Sequence, residues 1–328
     1  MTQQNEGILS LIGATPLIQL THLYKDSPFR IFAKIEGFNP GGSIKDRPAL
    51  NMIKQAQEKG EIGPSTVVIE SSSGNLGIGL AQVCLYFGLR FICVVDPKTT
   101  TQNINIIKAY GAEIELVEER DIETGEYLPS RIKRVKTLMD KFPDSFWPNQ
   151  YANEHNPGAH YDSTFSEIVT ELEETPDYLF GAVSTCGTIM GCANYVHDQG
   201  LGTKIIAVDV VGSIIFGGEK KSRLIPGMGA SIKSKFLQES LLDQYIHVTD
   251  LDCVRGCQHL LEREAILAGG SSGGVFMALD KIKDRIPVGS TCVLIFPDRG
   301  ERYLDTIYSD NWVAQHFGEI KGLGNFSI

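Results

Sequence analysis

Positive charge is scarce in this chain: 30 Lys and Arg stand against 40 Asp and Glu, a formal net charge of -10. Binding nucleic acid needs clustered cations to neutralise phosphates, so no nucleic-acid partner is expected. The acidic residues are scattered, which suits solubility. Long apolar runs are missing too, and Met1-Thr2-Gln3-Gln4-Asn5-Glu6 has no basic region. No signal peptide and no membrane span are expected, and a cytoplasmic location is. The seven cysteines are odd in number, and several sit in apolar contexts, which suits reduced thiols. Cys253 and Cys257 share a helical face, but no second Cys/His pair completes a zinc site. His155 and His160 lie in a loop-like stretch without ligand spacing, so no metal is expected. There is no Gly-Lys-Ser/Thr ending of a P-loop. Gly74-x-x-Gly77-x-Gly79 does not match the dinucleotide fingerprint, and no acidic ribose contact follows it.

What is present is a rhythm. Short β-branched runs alternate with helical patterns over 328 residues, enough for two domains or one large α/β unit. A short helix is expected over 3–11, then strands at 17–20 and 30–36 and a helix over 45–59. Strands at 66–70, 90–95 and 113–117 follow, with helices over 76–87, 101–110 and 129–141. The basic run Arg131-Ile132-Lys133-Arg134 in the last of these is expected to face water mostly. Phe146–Tyr151 breaks the rhythm and reads as a crossover between domains. Beyond it come helices over 162–173 and from 187 to about 199, and strands at 178–183 and 204–210. Residues 212–233 read as a long functional loop. Helices over 250–264 and 273–284 and a buried strand at 292–296 close the pattern. Such alternation signals right-handed βαβ units and a parallel sheet.

Ligands of open α/β sheets sit at the carboxyl ends of strands, and four loops fall there. Asn39-Pro40-Gly41-Gly42-Ser43-Ile44-Lys45-Asp46-Arg47 is a sharp turn opening a helix, with Ser43 as N-cap and Lys45 in the first turn. A lysine at that end meets the positive end of the helix dipole, which favours a neutral, nucleophilic amine. A surface lysine facing water is the plain alternative. Glu70-Ser71-Ser72-Ser73-Gly74-Asn75-Leu76-Gly77 offers three hydroxyls, an amide and backbone N–H groups to a carboxylate, or simply caps a helix. Ser184-Thr185-Cys186-Gly187-Thr188 suits a phosphate dianion. Ala268-Gly269-Gly270-Ser271-Ser272-Gly273-Gly274 either holds a small polar ring or is a flexible cap. A nucleophilic lysine with cradles for a phosphate, a carboxylate and a ring would all be served by pyridoxal phosphate carrying an amino acid.

The lysine loop resembles that of the β-replacing pyridoxal phosphate enzymes of fold type II, the cysteine synthase and cystathionine β-synthase family. Ser72-Ser73-Gly74-Asn75 is similar to their asparagine loop, Ser184–Thr188 to their phosphate loop, and Ser271 to their serine facing the pyridine nitrogen. Pro297-Asp298-Arg299-Gly300-Glu301-Arg302-Tyr303-Leu304 resembles their C-terminal signature. The resemblance runs in order from about Gly13 to Asp310. It implies a tryptophan synthase β-like fold: two open, twisted, mostly parallel sheets flanked by helices. One α/β domain would comprise 1–12 and 38–151, with Lys45 and the asparagine loop. The other would comprise 13–37 and 152–328, with the phosphate loop and Ser271. Lys45 would carry pyridoxal 5'-phosphate and move the Cα proton, and Asn75 would bind the ring oxygen. Ser184, Thr185, Cys186, Gly187 and Thr188 would hold the phosphate. Ser72, Ser73 and Gln150 would hold the substrate carboxylate. A homodimer is implied as well.

Two departures narrow the resemblance. Leu76 follows the asparagine where cysteine synthases have threonine, and Ser184 opens a phosphate loop that usually begins with glycine. A lost hydroxyl beside the carboxylate site argues for a changed substrate pocket. With Val-Gly-Ser-Ile-Ile-Phe-Gly and Pro-Asp-Arg-Gly-Glu-Arg-Tyr-Leu-Asp, these features resemble the N-(2-amino-2-carboxyethyl)-L-glutamate synthases of 2,3-diaminopropionate biosynthesis, found in siderophore and antibiotic pathways. That reaction joins O-phospho-L-serine to the amine of L-glutamate and expels phosphate. Arg223 or Lys221 would meet the substrate phosphate, or would be exposed loop charges. Tyr151 would line the second-substrate site, or pack between domains. The alternatives are a cysteine synthase using sulfide with O-phosphoserine or O-acetylserine, a relative adding another amino acid such as aspartate, and a non-catalytic scaffold.

Overall fold

The computed structural model describes residues 7–25 and 27–318. Ten strands are described: β1 Leu17–Gln19, β2 Arg30–Ile35, β3 Val67–Ser71, β4 Arg90–Val95, β5 Glu113–Leu116, β6 Ser145–Phe146, β7 Tyr178–Ala182, β8 Lys204–Val210, β9 Gln244–Val248 and β10 Thr291–Phe296. The α-helices are α1 Asp46–Glu58, α2 Asn75–Tyr86, α3 Thr101–Ala109, α4 Tyr127–Lys141, α5 His155–Ala159, α6 Phe165–Leu172, α7 Gly187–Asp198, α8 Asp250–Glu264, α9 Gly270–Ile282 and α10 Asp310–Phe317. The chain divides into two compact units. The first takes in the chain up to Ile12 and Asn39–Ala159; the second takes in Gly13–Phe38 and the chain from His160 on.

The first unit holds a four-stranded sheet in the order β5-β4-β3-β6, parallel throughout. β3 is buried at every position, which is why it reads as an unbroken apolar run with one acid at Glu70. One core cluster packs α1 and α2 on the sheet through Met52, Ile53, Ile78 and Leu80. A second, with Val135 and Leu138 of α4, covers the other side through Ile69 and Val94. The second unit holds a six-stranded sheet, β1-β2-β10-β7-β8-β9, parallel except for the β1–β2 pair. Its core joins Phe180, Val208, Leu294 and Phe296 of the strands to Cys257, Leu260, Val275 and Leu279 of α8 and α9.

Several expectations need correction. The helix expected over 3–11 is a 3-10 turn, Ile8–Leu11, and residues 3–6 lie outside the described residues. The helix of 129–141 does not turn all its basic run to water. Arg131 is buried and its Nε lies 3.3 Å from Asp96 Oδ2. His155 and His160 are not in a loop: α5 runs into a π-helical turn, His160–Thr164, and then α6. Pro157 is tolerated because it falls in the first turn of α5, where an N–H has no helical partner to lose. The final glycine-rich stretch is mostly helix: α9 starts at Gly270, not 273. β6, β9 and α10 are additional elements.

Candidate active site

Each unit carries its own set of candidate residues. In the first, the lysine loop is pinned from below. Gly42 turns at φ 83°, and the buried Asp46 carboxylate accepts the Gly41 N–H at 2.5 Å. A Cβ on Gly41 would fall 2.5 Å from that carboxylate, so the turn needs glycine there. Lys45 is the N-cap residue rather than part of the first turn, and Ser43 does not cap from that position. The Ser43 hydroxyl instead accepts the Lys45 N–H at 3.2 Å. Lys45 is half-buried, and its carbonyl lies 3.2 Å from where a Gly79 Cβ would sit on α2. The lysine loop therefore lies beside the first turns of α2, whose first residue is Asn75.

β3 leads into that helix through Ser72, Ser73 and Gly74. The buried Ser72 hydroxyl accepts the Gly77 N–H at 2.9 Å. Its carbonyl receives the Cys93 thiol at 3.2 Å, and Asn103 Nδ2 donates to the Ser73 carbonyl at 3.1 Å. Ser73 and Asn75 are half-buried. Leu76 is 3% exposed and belongs to the core cluster of α1 and α2. Its apolar side chain packs within that cluster.

Gln150 joins this loop. Its side-chain Nε2 donates to the Ser71 carbonyl at 3.2 Å, and its own carbonyl accepts from Asn156 Nδ2 at 2.7 Å. Tyr151, next to it, is half-buried. Beneath lies an acid that sequence reasoning passed over. Glu70 is completely buried, and its carboxylate accepts the Ser71 N–H at 2.8 Å, the Trp147 indole N–H at 3.1 Å and the Gln150 N–H at 3.2 Å. Burial pushes its pKa up to about 7 against the pull of those donors. An acid at the end of the run Val67-Val68-Ile69 was the available signal.

In the second unit, β7 runs through Val183 into Ser184-Thr185-Cys186 and then α7. Cys186 adopts φ 65°, ψ 3°, a left-handed turn immediately before α7. Neighbours brace this loop. The Ser184 hydroxyl donates to the Gly229 carbonyl at 3.2 Å, and Ser234 Oγ donates to the Thr185 carbonyl at 2.6 Å. Thr188 Oγ1 lies 3.2 Å from His160 Nε2, and His160 Nδ1 lies 2.9 Å from Thr164 Oγ1. His160 is fully buried and was not foreseen; its i, i+4 spacing to Thr164 was the only hint. The long 212–233 loop thus supports the phosphate loop through Gly229. Arg223 directs its guanidinium to the Met228 carbonyl at 3.2 Å and Ser231 Oγ at 3.0 Å. Lys221 is exposed and paired with Glu219 at 3.1 Å.

Ser271 is the second residue of α9 and is buried. The C-terminal signature holds that helix start in place. Gly269 N–H donates to the Asp298 carbonyl at 3.2 Å, and Tyr303 OH donates to the Asp298 carboxylate at 2.5 Å. The neighbouring Ser272 hydroxyl is buried and has no hydrogen-bond partner. Three hydroxyls at a helix start, with no acid in the loop, form a donor set for a phosphate dianion. The second unit thus offers a buried serine pair with one unpartnered hydroxyl, and the first unit separately offers a half-buried lysine and asparagine, residue types that suit pyridoxal phosphate.

Residues 8–298 match the pyridoxal-phosphate dependent enzyme family. The chain is 46% identical over 310 residues to the N-(2-amino-2-carboxyethyl)-L-glutamate synthase of Ralstonia nicotianae, covering 94% of this chain and 91% of that one. Among solved structures, it is similar to an O-acetylserine dependent cystathionine β-synthase from Helicobacter pylori, with a TM-score of 0.86 and 33% identity over 94% of this chain and 100% of that one. A cysteine synthase from Entamoeba histolytica matches with a TM-score of 0.86 and 33% identity, over 94% of this chain and 91% of that one.

Proposed function

The chain belongs to the pyridoxal-phosphate-dependent enzyme family, and from that premise we propose that it replaces the β substituent of O-phospho-L-serine with the amine of L-glutamate. The products are N-(2-amino-2-carboxyethyl)-L-glutamate and phosphate. The observation that carries this reading is the 46% identity to the relative of that name, across 94% of the chain. When bound, pyridoxal phosphate draws electrons from the substrate's Cα, so the β C–O bond can break as the Cα proton leaves.

The chain's own residues divide the remaining work. Lys45 supplies the amine that holds the cofactor covalently and then moves the Cα proton. Asn75 donates to the ring oxygen. Ser184, Thr185, Cys186, Gly187 and Thr188 hold the cofactor phosphate through hydroxyls and the N-terminus of α7. Ser271 would meet the ring nitrogen with a hydroxyl instead of an acid, which would leave that nitrogen unprotonated and suit β elimination. Ser72, Ser73 and Gln150 hold the substrate carboxylate, and Tyr151 lines the second-substrate site. Arg223 supplies positive charge for the departing phosphate from a guanidinium anchored on Met228 and Ser231. The glutamate nitrogen then bonds to Cβ and loses a proton, and the Lys45 amine would return a proton to Cα. A cytoplasmic homodimer serving a siderophore or antibiotic pathway goes with this reading.

Similarity to solved cysteine synthases favours one second reading, sulfide as the nucleophile. The two are separated by giving the cofactor-loaded protein O-phospho-L-serine with L-glutamate or with sulfide, and following phosphate release and product mass. The glutamate adduct should form at least about tenfold faster than cysteine. Faster cysteine formation assigns the chain to the second reading. Lys45→Ala should abolish both products and the absorption band of the covalently held cofactor.

A further inference from the structure

A carboxylate removed from water is stable only where donors or cations replace the lost hydration. Glu70 has no exposure, and its N–H contacts, the Asn149 N–H among them, reach two separate stretches of chain. One is Ser71, at the foot of the Ser72–Asn75 loop. The other is the 147–150 turn, where Asn149 holds a left-handed φ of 51° immediately before the bonded Gln150 N–H. The Gln150 side chain then closes the circle on the Ser71 carbonyl at 3.2 Å. Glu70 is therefore what fixes the register of Gln150 against the serine loop. The titratable neighbours are few. Cys93, opposite Glu70 on β4, is kept neutral by burial, its pKa pushed up to about 12. On α4, Arg131 is paired with Asp96, which follows β4.

We propose that Glu70 is a positioning residue for binding the amino-acid substrate: its ionised carboxylate clamps the Gln150 turn onto the serine loop, and its protonation releases the clamp. This rests on the reading that Ser72, Ser73 and Gln150 hold the substrate carboxylate. The ionised group accepts all of these N–H bonds, whereas a protonated one turns an O–H toward a donor and loses at least one of them. With its pKa near 7, both forms are populated around neutrality. Substrate affinity then rises with pH. Simple repulsion between Glu70 and a substrate carboxylate gives the opposite sign.

The test is a titration of the cofactor-loaded protein with L-alanine, which has no β leaving group. It is followed by the absorbance of the bound cofactor between about pH 6 and 8.5, where the alanine carboxylate keeps its charge. Expressed for the neutral-amine form of alanine, so that the amine's own proton loss is removed, wild-type affinity should rise with a midpoint near pH 7, while Glu70→Gln binds about tenfold more weakly at the upper end, without that midpoint and with cofactor content unchanged. Trp147→Phe removes one donor that favours the anion, so it should move the midpoint upward, and it decides the matter if Glu70→Gln does not fold. An affinity that falls with pH, an unmoved midpoint in Trp147→Phe, or wild-type behaviour of Glu70→Gln overturns the proposal. Gln150→Ala separates the two levels. If it binds L-alanine normally, the cradle reading itself fails. If it binds weakly while Glu70→Gln does not, only the role of Glu70 fails.

Discussion

Cys186 turns the chain through the left-handed region at φ 65° while 2% exposed, at the centre of the phosphate loop. An L-residue there costs roughly 1 kcal/mol or more, and a β-branched one costs more because its second γ atom meets the backbone. Cys186→Gly should therefore be tolerated, relief of strain offsetting the lost thiol contacts. Cys186→Val should weaken pyridoxal phosphate binding by about tenfold or more. Fluorescence titration of the cofactor into each apoprotein measures this, and equal affinities would remove the strained turn from the account. The residue scale is also where the sequence was most and least legible. Lys45, Asn75 and Ser271 stand at helix starts, where local Gly and Ser punctuation gives them away. Glu70 and His160 act through partners up to 80 and 28 positions distant, and no local pattern encodes those distances.

At the scale of elements, Gly256 of α8 and Gly273 of α9 set how closely two helices approach. A Cβ on Gly273 would lie 2.2 Å from the Cys253 carbonyl oxygen, and one on Gly256 would lie 2.1 Å from the Gly273 carbonyl oxygen. Both obstacles are backbone, which cannot swing aside as a side chain can. Gly273→Ala should thus cost about 3 kcal/mol or more, at the upper end of overpacking penalties, and should disturb the helix start that carries Ser271. Gly202→Ala, with nothing within 4 Å of the new methyl, is the matched control and should melt like the wild type. Denaturant unfolding of both variants checks the pair. If Gly273→Ala were as stable as the control, the helices would have to separate freely. The same glycines explain why the start of α9 was read as a loop: a run of Gly and Ser looks the same whether it bends or packs closely. β9 escaped notice for a different reason. It is an edge strand paired only with β8, and two of its five residues are exposed, so it lacks the apolar run that marks β3 or β10. The alternation of the buried strands with helices carried the rest of the fold.

For the molecule as a whole, the seven cysteines act as a group. All are free and buried. Burial raises Cys93, Cys257 and Cys292 to about 12 from an ordinary 9.0, and pushes Cys84 and Cys253 upward as well. The folded state therefore keeps protons that the unfolded chain releases. Below pH 9 both states hold them, and the contribution to stability is fully present. As pH rises from 9 toward 12, the unfolded chain ionises first, and stability falls by about 1.4 kcal/mol per pH unit for each such thiol. Five thiols shifted in the same direction make the alkaline loss a large one beside the stability of an ordinary domain. The protein should resist thiol reagents near pH 7.5 and unfold cooperatively near pH 10, exposing all seven thiols at once. Denaturant midpoints at those two pH values, with Cys257→Ala beside the wild type, test the sign and the source. The variant should start less stable because of its cavity, yet lose about one thiol's share less between the two pH values. An unchanged pH slope in the variant would place the alkaline loss elsewhere. An absence of any alkaline loss would mean that the folded thiols ionise as readily as those of the open chain, and their depth in the two cores leaves no physical route to that.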